Sequence, residues 1–254
     1  MPDALTSLAD CKAWLGLTTS VDDALLGTLI GDVSRAILAD IGRAAILPAT
    51  YVDTLDGGGE GALALRQWPV TRVLACQVDG MPIAPSSMPG QLGWLLDGAD
   101  PAPPGSMQRL LFRGGVFPRG AQNVSITYRA GYEIVGEQAL VPNAAPFVVT
   151  ALAPYGTWQV DTGVAGAQAG YAASAGVYTF AASDAGTAVE LSYGYVPADL
   201  ARAAIEWVAD RYAARTRIGQ SAKTLGGQET ASFVVKAMPD IVDRLLRPYR
   251  RVAV

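Results

Sequence analysis

From Pro197 to Arg217 the apolar residues of this 254-residue chain lie on one helical stripe. Leu200, Ala203, Ala204, Trp207, Val208 and Tyr212 recur at three- and four-residue steps, the spacing of a single face of an α-helix. Pro197 suits a first turn, where its missing N–H costs nothing. Asp199 sits where the helix dipole favours negative charge, and Arg211, Arg215 and Arg217 sit where it favours positive charge. Gly219 is the expected stop. A helix this amphipathic must bury its stripe, which commits the chain to a packed core.

The N-terminus repeats the helical period. Thr6 is placed to cap a helix over Ser7 to Leu15, with Leu8, Cys11, Trp14 and Leu15 on its apolar side and Gly16 as its end. Ser20-Val-Asp-Asp23 has the form of a capping box, with Asp23 in the place of the usual Glu. Leu25, Leu26, Leu29, Ile30, Val33, Ile37, Leu38 and Ile41 then keep helical spacing up to Gly42, the expected C-cap. The reading is a helical hairpin with one apolar face.

Between these ends the pattern is that of strands. Tyr51–Leu55, Ala62–Leu65, Arg72–Val78, Leu110–Phe112 and Val124–Tyr128 read as strands, with Asp56–Gly61 as the loop returning the first strand into the second. Asp79-Gly80 is a hairpin turn signal. The Pro- and Gly-rich stretch 82–108 reads as a structured loop around Trp94-Leu-Leu96. Phe147–Thr150, Trp158–Val160, Gly176–Phe180 and Val189–Tyr193 form a second group. Ser125–Tyr132 and Leu191–Tyr195 echo one another, and each leads to a Val-Pro pair. An inserted β module over 146–195, between a sheet strand and the helix that would otherwise follow it, explains the echo. The fold class expected is α+β: a helical hairpin and a long C-terminal helix packed with a small antiparallel sheet, plus an inserted all-β module. The core domain is then 1–145 with 196–254.

Chemistry is sparse. There is no histidine, which removes Ser-His-Asp and Cys-His arrangements and any His-ligated metal. The two cysteines, Cys11 and Cys76, lack metal or redox spacing and read as buried thiols. Gly57–Gly61 is followed by a strand pattern, not a helix, so it is not a dinucleotide fingerprint. Gly226-Gly227 follows Lys223 and opens no helix, so it is no phosphate loop either. It reads as a flexible linker, or an arm that orders on binding. Asp22, Asp23, Asp97, Asp100, Asp161 and Asp184 are scattered, without an apolar pair suited to acid–base work. No catalytic residue, cofactor or metal site is expected. A net charge of −4 disfavours a general nucleic-acid binder. The start has no signal-peptide pattern and no stretch is apolar enough to span a membrane, so a soluble protein made in a cytoplasm is expected.

The strongest functional signal is the basic end. Arg244, Arg247, Arg250 and Arg251 crowd a short final helix of an acidic protein, beside Leu245 and Tyr249. Cations at a helix end satisfy its dipole, but Arg with Tyr is also the composition of interface hot spots. These six residues are the expected docking set for an acidic partner.

This order of elements resembles the head–tail connector (adaptor) family of long-tailed bacteriophages and prophages. Leu8–Leu15, Asp22–Leu26 and Ala36–Arg43 are similar to the family's opening hairpin. Leu65-Arg-Gln-Trp-Pro-Val70 with Val73–Gly80, Val124–Tyr132, Val196–Arg215 and Leu246–Arg250 resemble its sheet, long helix and terminal motif. The segment between departs from the compact members and is similar to β modules of other virion proteins. The resemblance implies a non-enzymatic ring, a dodecamer matched to the portal, located at the virion neck and assembled in the host bacterial cytoplasm. Its implied partners are the portal protein, the next neck or tail-completion protein and further copies of itself. DNA passes through its channel without sequence-specific binding, and an acidic lumen would repel the phosphates. The proposed mechanism of attachment is ordering of a mobile 218–234 loop and terminal helix on the portal. A tail-completion or tail-tube component is the nearest alternative. A carboxylate hydrolase and a sugar-stacking role for Trp158, Tyr171, Tyr178 and Tyr193 are more distant ones.

Overall fold

The computed structural model describes residues 4–98, 102–215, 222–225, 229–232 and 237–250. The protein is α+β, and its chain forms two compact units, Met1–Ala44 with Ala198–Val254, and Ala45–Pro197.

The first unit is helical. α1 (Leu8–Leu15) is capped by Ser7, whose Oγ accepts from the Asp10 N–H at 3.0 Å; the cap lies one residue beyond the expected Thr6. α2 (Asp23–Ile41) starts two residues later than a capping box at Ser20 predicts, and no side chain caps it. The Asp22 carboxylate is committed elsewhere, to the Tyr212 hydroxyl at 2.6 Å and to Arg215 at 3.0 Å. Asp23 instead accepts from Lys12 of α1 at 2.7 Å. Gly16 and Gly42 end the two helices at φ +68° and +69°, a left-handed conformation that glycine adopts without strain. α3 (Ala198–Ala214) buries Leu200, Ala203, Ala204, Trp207 and Val208, the stripe read from the sequence, and packs against α1 and α2. α4 (Asp240–Leu246) follows, continued by a single 3-10 turn over Arg247–Tyr249. Two short strands, Ala222–Leu225 and Glu229–Ser232, pair antiparallel where a loop was expected.

The second unit holds four small antiparallel sheets. β1 (Ala49–Gly57), β3 (Val70–Val78), β4 (Met81–Ile83) and β7 (Gly120–Ala130) form the first, in the order β1-β7-β3-β4. β2 (Ala62–Ala64), β5 (Gly93–Asp97) and β6 (Arg109–Arg113) form the second, so Ala62–Leu65 does not return along β1 but pairs with β6. Asp79 and Gly80, at φ +49° and +76°, make the β3–β4 turn that their sequence signals. The core of these sheets includes Val78, Leu110, Phe117, Val124, Ile126 and Tyr128. Tyr128 donates to Asp53 at 2.8 Å, which gives its buried hydroxyl a partner.

β8 (Glu133–Leu140), β10 (Gly156–Ala165) and β13 (Ala188–Pro197) form the third sheet, in the order β10-β13-β8. β9 (Val148–Thr150), β11 (Ala172–Ser174) and β12 (Val177–Thr179) form the fourth. Val141, Tyr178, Phe180, Val189, Leu191 and Tyr193 make a second core, against which Ile134 and Ala139 of β8 also pack. β8 spans a stretch not expected to be a strand, and its Leu140 faces Ala188 across the ladder. The contact division falls at Ala44/Ala45 and Pro197/Ala198, whereas the sequence reading drew its boundaries at 145/146 and 195/196.

The sequence echo has a structural counterpart. Tyr132 and Tyr195 are both buried, with ring centroids 5.9 Å apart, edge to face, and Tyr195 N–H donates to Tyr132 C=O at 3.0 Å. A Cβ on Gly131 or Gly194, the glycines preceding them, would lie 2.5 and 2.6 Å from Pro48. The two Gly-Tyr ends therefore close on one proline, and only glycine allows that approach.

Glu133 joins β7 to β8 electrostatically. It is 7% exposed and accepts from Arg129 through both oxygens at 2.9–3.2 Å and from Thr71 at 3.2 Å. Burial works to raise its pKa, but the Arg129 guanidinium and the Thr162 and Thr71 hydroxyls outweigh that and hold it below its ordinary value of 4.5. A depressed pKa adds stability above the unfolded value that is lost as pH falls through the folded one. Glu133→Gln is therefore expected to cost about 2 kcal/mol at pH 7, and the gap to wild type to close as the pH drops below the ordinary carboxylate range. Denaturant midpoints at pH 7 and pH 3 check this; an equal gap at both contradicts it.

Candidate docking surface

The expected docking residues lie on α4 and the turn after it. Pro239 precedes α4, and Asp240 and Asp243 lie in its first turn, where they complement the dipole. Val242, Leu246 and Tyr249 are spaced by four and three residues and all turn inward; Tyr249 is 1% exposed. Helical spacing therefore splits the basic end into a buried face and an outer face.

Arg250 belongs to the buried side. Its Nε donates to Asp40 of α2 at 2.9 Å and its Nη2 to Asp243 at 2.8 Å. Asp40 first, then Asp243, raise the guanidinium's pKa further. Arg250 and then Arg247 hold the Asp243 carboxyl below its usual range. Arg247 is exposed and pairs with Asp243 alone, at 2.9 Å. Arg244 is exposed, and Leu245 is half-buried beside it. Arg251 lies outside the described residues.

These positions revise the expected docking set. Tyr249 is a core residue, because its ring is the last inward position of the helical repeat. Arg250 is an internal clasp, because two carboxylates already occupy it. The terminal helix, expected to be mobile in the free chain, is packed against α3 and held to α2. Arg244, Leu245 and Arg247 remain on the outer face.

The arginines of α3 make contacts within the unit. Arg211 donates to the Ala237 carbonyl at 3.0 Å and so ties α3 to the segment entering α4. Arg202 stacks on Trp14, 3.7 Å from the ring, and pairs with Glu206 at 2.7 Å. Arg215 holds Asp22 well below the usual carboxylate range, helped by the Tyr212 hydroxyl. A groove of about 220 Å³ runs between α2 and α3, lined by Leu29, Asp32, Val33, Ala36, Trp207 and Arg211. Local spacing does not reveal the clasps on Asp22 and Asp40, which lie 193 and 210 residues from Arg215 and Arg250. Among the described residues no group of three or more His, Cys, Asp or Glu could hold a metal, and no helix is long and apolar enough to cross a membrane. Burial pushes the Cys11 and Cys76 thiols up to about 11, as expected of structural rather than reactive cysteines.

Residues 5–59 match the family described as "Phage gp6-like head-tail connector protein". The match falls on α1, α2 and β1 and so covers the opening hairpin of the resemblance read from the sequence, not its later segments. No curated protein matches the chain. Two solved structures are similar. One is described as "Neck of empty GTA particle computed with C6 symmetry", at 18% identity and TM-score 0.43, covering 100% of this chain and 93% of that one. The other is described as "Virion of native gene transfer agent (GTA) particle", at 17% identity and TM-score 0.46, covering 100% and 93%.

The split of the basic end predicts two different mutational outcomes. Tyr249→Ala should destabilise the helical unit by about 3–5 kcal/mol through the cavity it leaves. Arg244→Ala should leave the unfolding midpoint unchanged. Chemical denaturation of the two variants distinguishes a packed terminal helix from a free one; a neutral Tyr249→Ala contradicts the packing.

Proposed function

We propose that this chain is a head–tail connector over its whole length: a structural neck protein that forms a ring against the portal, joins head to tail and lengthens the DNA channel. The observation that carries this reading is the match of residues 5–59 to the phage head-tail connector family. The residues beyond that match support the same role by their character. Several of their charged groups serve structural ion pairs, and the exposed face of α4 offers cations to a partner.

The docking element in this proposal is the outer face of α4, with Arg244, Leu245 and Arg247, together with Arg251 beyond it. Because α4 is already folded against α3, docking does not have to order that helix, which lowers the entropy cost per copy. Contacts between exposed charges are individually weak, so a ring gains its hold through repetition. A dodecamer on the portal is the copy number in this reading. The β module of this reading, residues 146–195, takes in most of β13, and its core around Tyr178, Leu191 and Tyr193 also receives Ile134 and Ala139 of β8. Catalysis plays no part in the role proposed.

The double variant Arg244→Glu/Arg247→Glu should keep the wild-type circular dichroism spectrum and lose attachment to purified portal rings in co-sedimentation. Wild-type attachment should weaken as salt is raised, because exposed charges are screened. Undiminished attachment of the double variant would remove α4 from the interface. Attachment to tail tubes but not to portals would favour a tail-completion component.

A further inference from the structure

Three strand ladders of the second unit break register beside the same space. Thr71 is the extra residue where β3 slips against β7, between Val70 and Arg72. Thr162 is the extra residue where β10 slips against β13, between Asp161 and Gly163. Ser192 lies in the break between β13 and β8, between Leu191 and Tyr193. All three line one cleft of about 330 Å³, whose other walls are Arg72, Arg129, Glu133 and Val135. A bulge re-aims a side chain that a regular ladder would send elsewhere. Two bulges deliver Thr71 and Thr162 to one cleft, and Ser192 enters it opposite the extra residue of β8, between Ile134 and Glu137.

The charges of the cleft do not cancel. Glu133 neutralises Arg129, and its oxygens accept from that guanidinium and from the Thr71 hydroxyl. Arg72 is exposed and forms no ion pair with any described carboxylate. One positive charge is therefore left over at the mouth. Ser192 Oγ accepts from the Gly136 N–H at 3.1 Å, which leaves its own proton to donate.

We propose that this cleft binds a carboxylate, and that its occupant in the assembled particle is an Asp or Glu side chain of another neck protein chain. The second half of the proposal rests on the connector reading; the first does not. Arg72 supplies the charge-assisted bond and Ser192 a second donor. A single negative charge matches the single positive one. A phosphate dianion would place a second charge beside the ionised Glu133, in a site partly shielded from water, where like charges repel more strongly. The exposed apolar Val135 at the rim, 61% exposed, gives the occupant's methylenes a surface to cover.

Full-length protein is titrated with sodium acetate at constant ionic strength, following the arginine Nε–H signals by nuclear magnetic resonance. The signals of Arg72 and Arg129 should shift saturably in the millimolar range, and Arg72→Gln should weaken binding by about tenfold. Inorganic phosphate at pH 7.5 should bind no more tightly than acetate. A shift that does not saturate, an unchanged affinity in Arg72→Gln, or tighter binding of phosphate overturns the site. In particles, Arg72→Gln should lower occupancy of the neck, and full occupancy overturns the docking role. Absence of wild-type protein from the neck counts against the connector reading, whereas acetate binding lost in Arg72→Gln stands without it.

Discussion

The helical unit depends on how Arg250 is held between Asp40 and Asp243. Asp40 sits in the last turn of α2, where the dipole disfavours a carboxylate and no basic residue of that turn offsets it. Arg250 provides the compensation from the far end of the chain, at 2.9 Å, while its other branch reaches Asp243 at 2.8 Å. Exposed ion pairs contribute little singly, so the clasp works as a locator. The burial of Val242, Leu246 and Tyr249 supplies the adhesion. Once the end is located, α4 has one face inward and one face outward, and the outward face carries the arginines available to a partner.

The middle of the chain obeys a different constraint, the close approach of backbone at Pro48. Gly131 and Gly194 both meet that residue, and the tyrosines after them stack edge to face. This brings the end of β7 beside β13 although more than fifty residues intervene. The Leu140–Ala188 pairing closes the same region from the other side. The core around Tyr178 and Tyr193 is separate from the one around Tyr128, and β8 and β13 contribute to it together with β9 and β12. The register breaks at Thr71, Thr162 and Ser192 line one cleft of this region.

Much of this was legible in the chain. The helical stripes of α2 and α3, the glycine caps at Gly16 and Gly42, the Asp79-Gly80 turn and most strands follow from local spacing, which needs no knowledge of distant residues. Most of the missed features are long-range. Asp22 looks like a cap but serves Arg215 and Tyr212, because a charged hydrogen bond from another helix outcompetes a local one. β2 looks like the return of β1, since pairing partners are set by tertiary packing rather than by loop length. β8, Glu133–Leu140, contains Gly136 and three acidic or amide residues, so its alternation is faint. At the candidate site, the basic cluster was plain, but helical phase alone could not reveal that Tyr249 and Arg250 face inward. That depended on which helix received them.

The account's central claim is that the chain assembles as a ring on a portal through a preformed basic face. The most direct measurement is mass and shape of the purified protein, alone and mixed with portal rings, by light scattering and negative-stain electron microscopy. The claim predicts a lone protein that builds no tubes and a ring of copies capping the portal in the mixture. Stacked tubes formed by the protein alone, or portals left bare beside it, would contradict it.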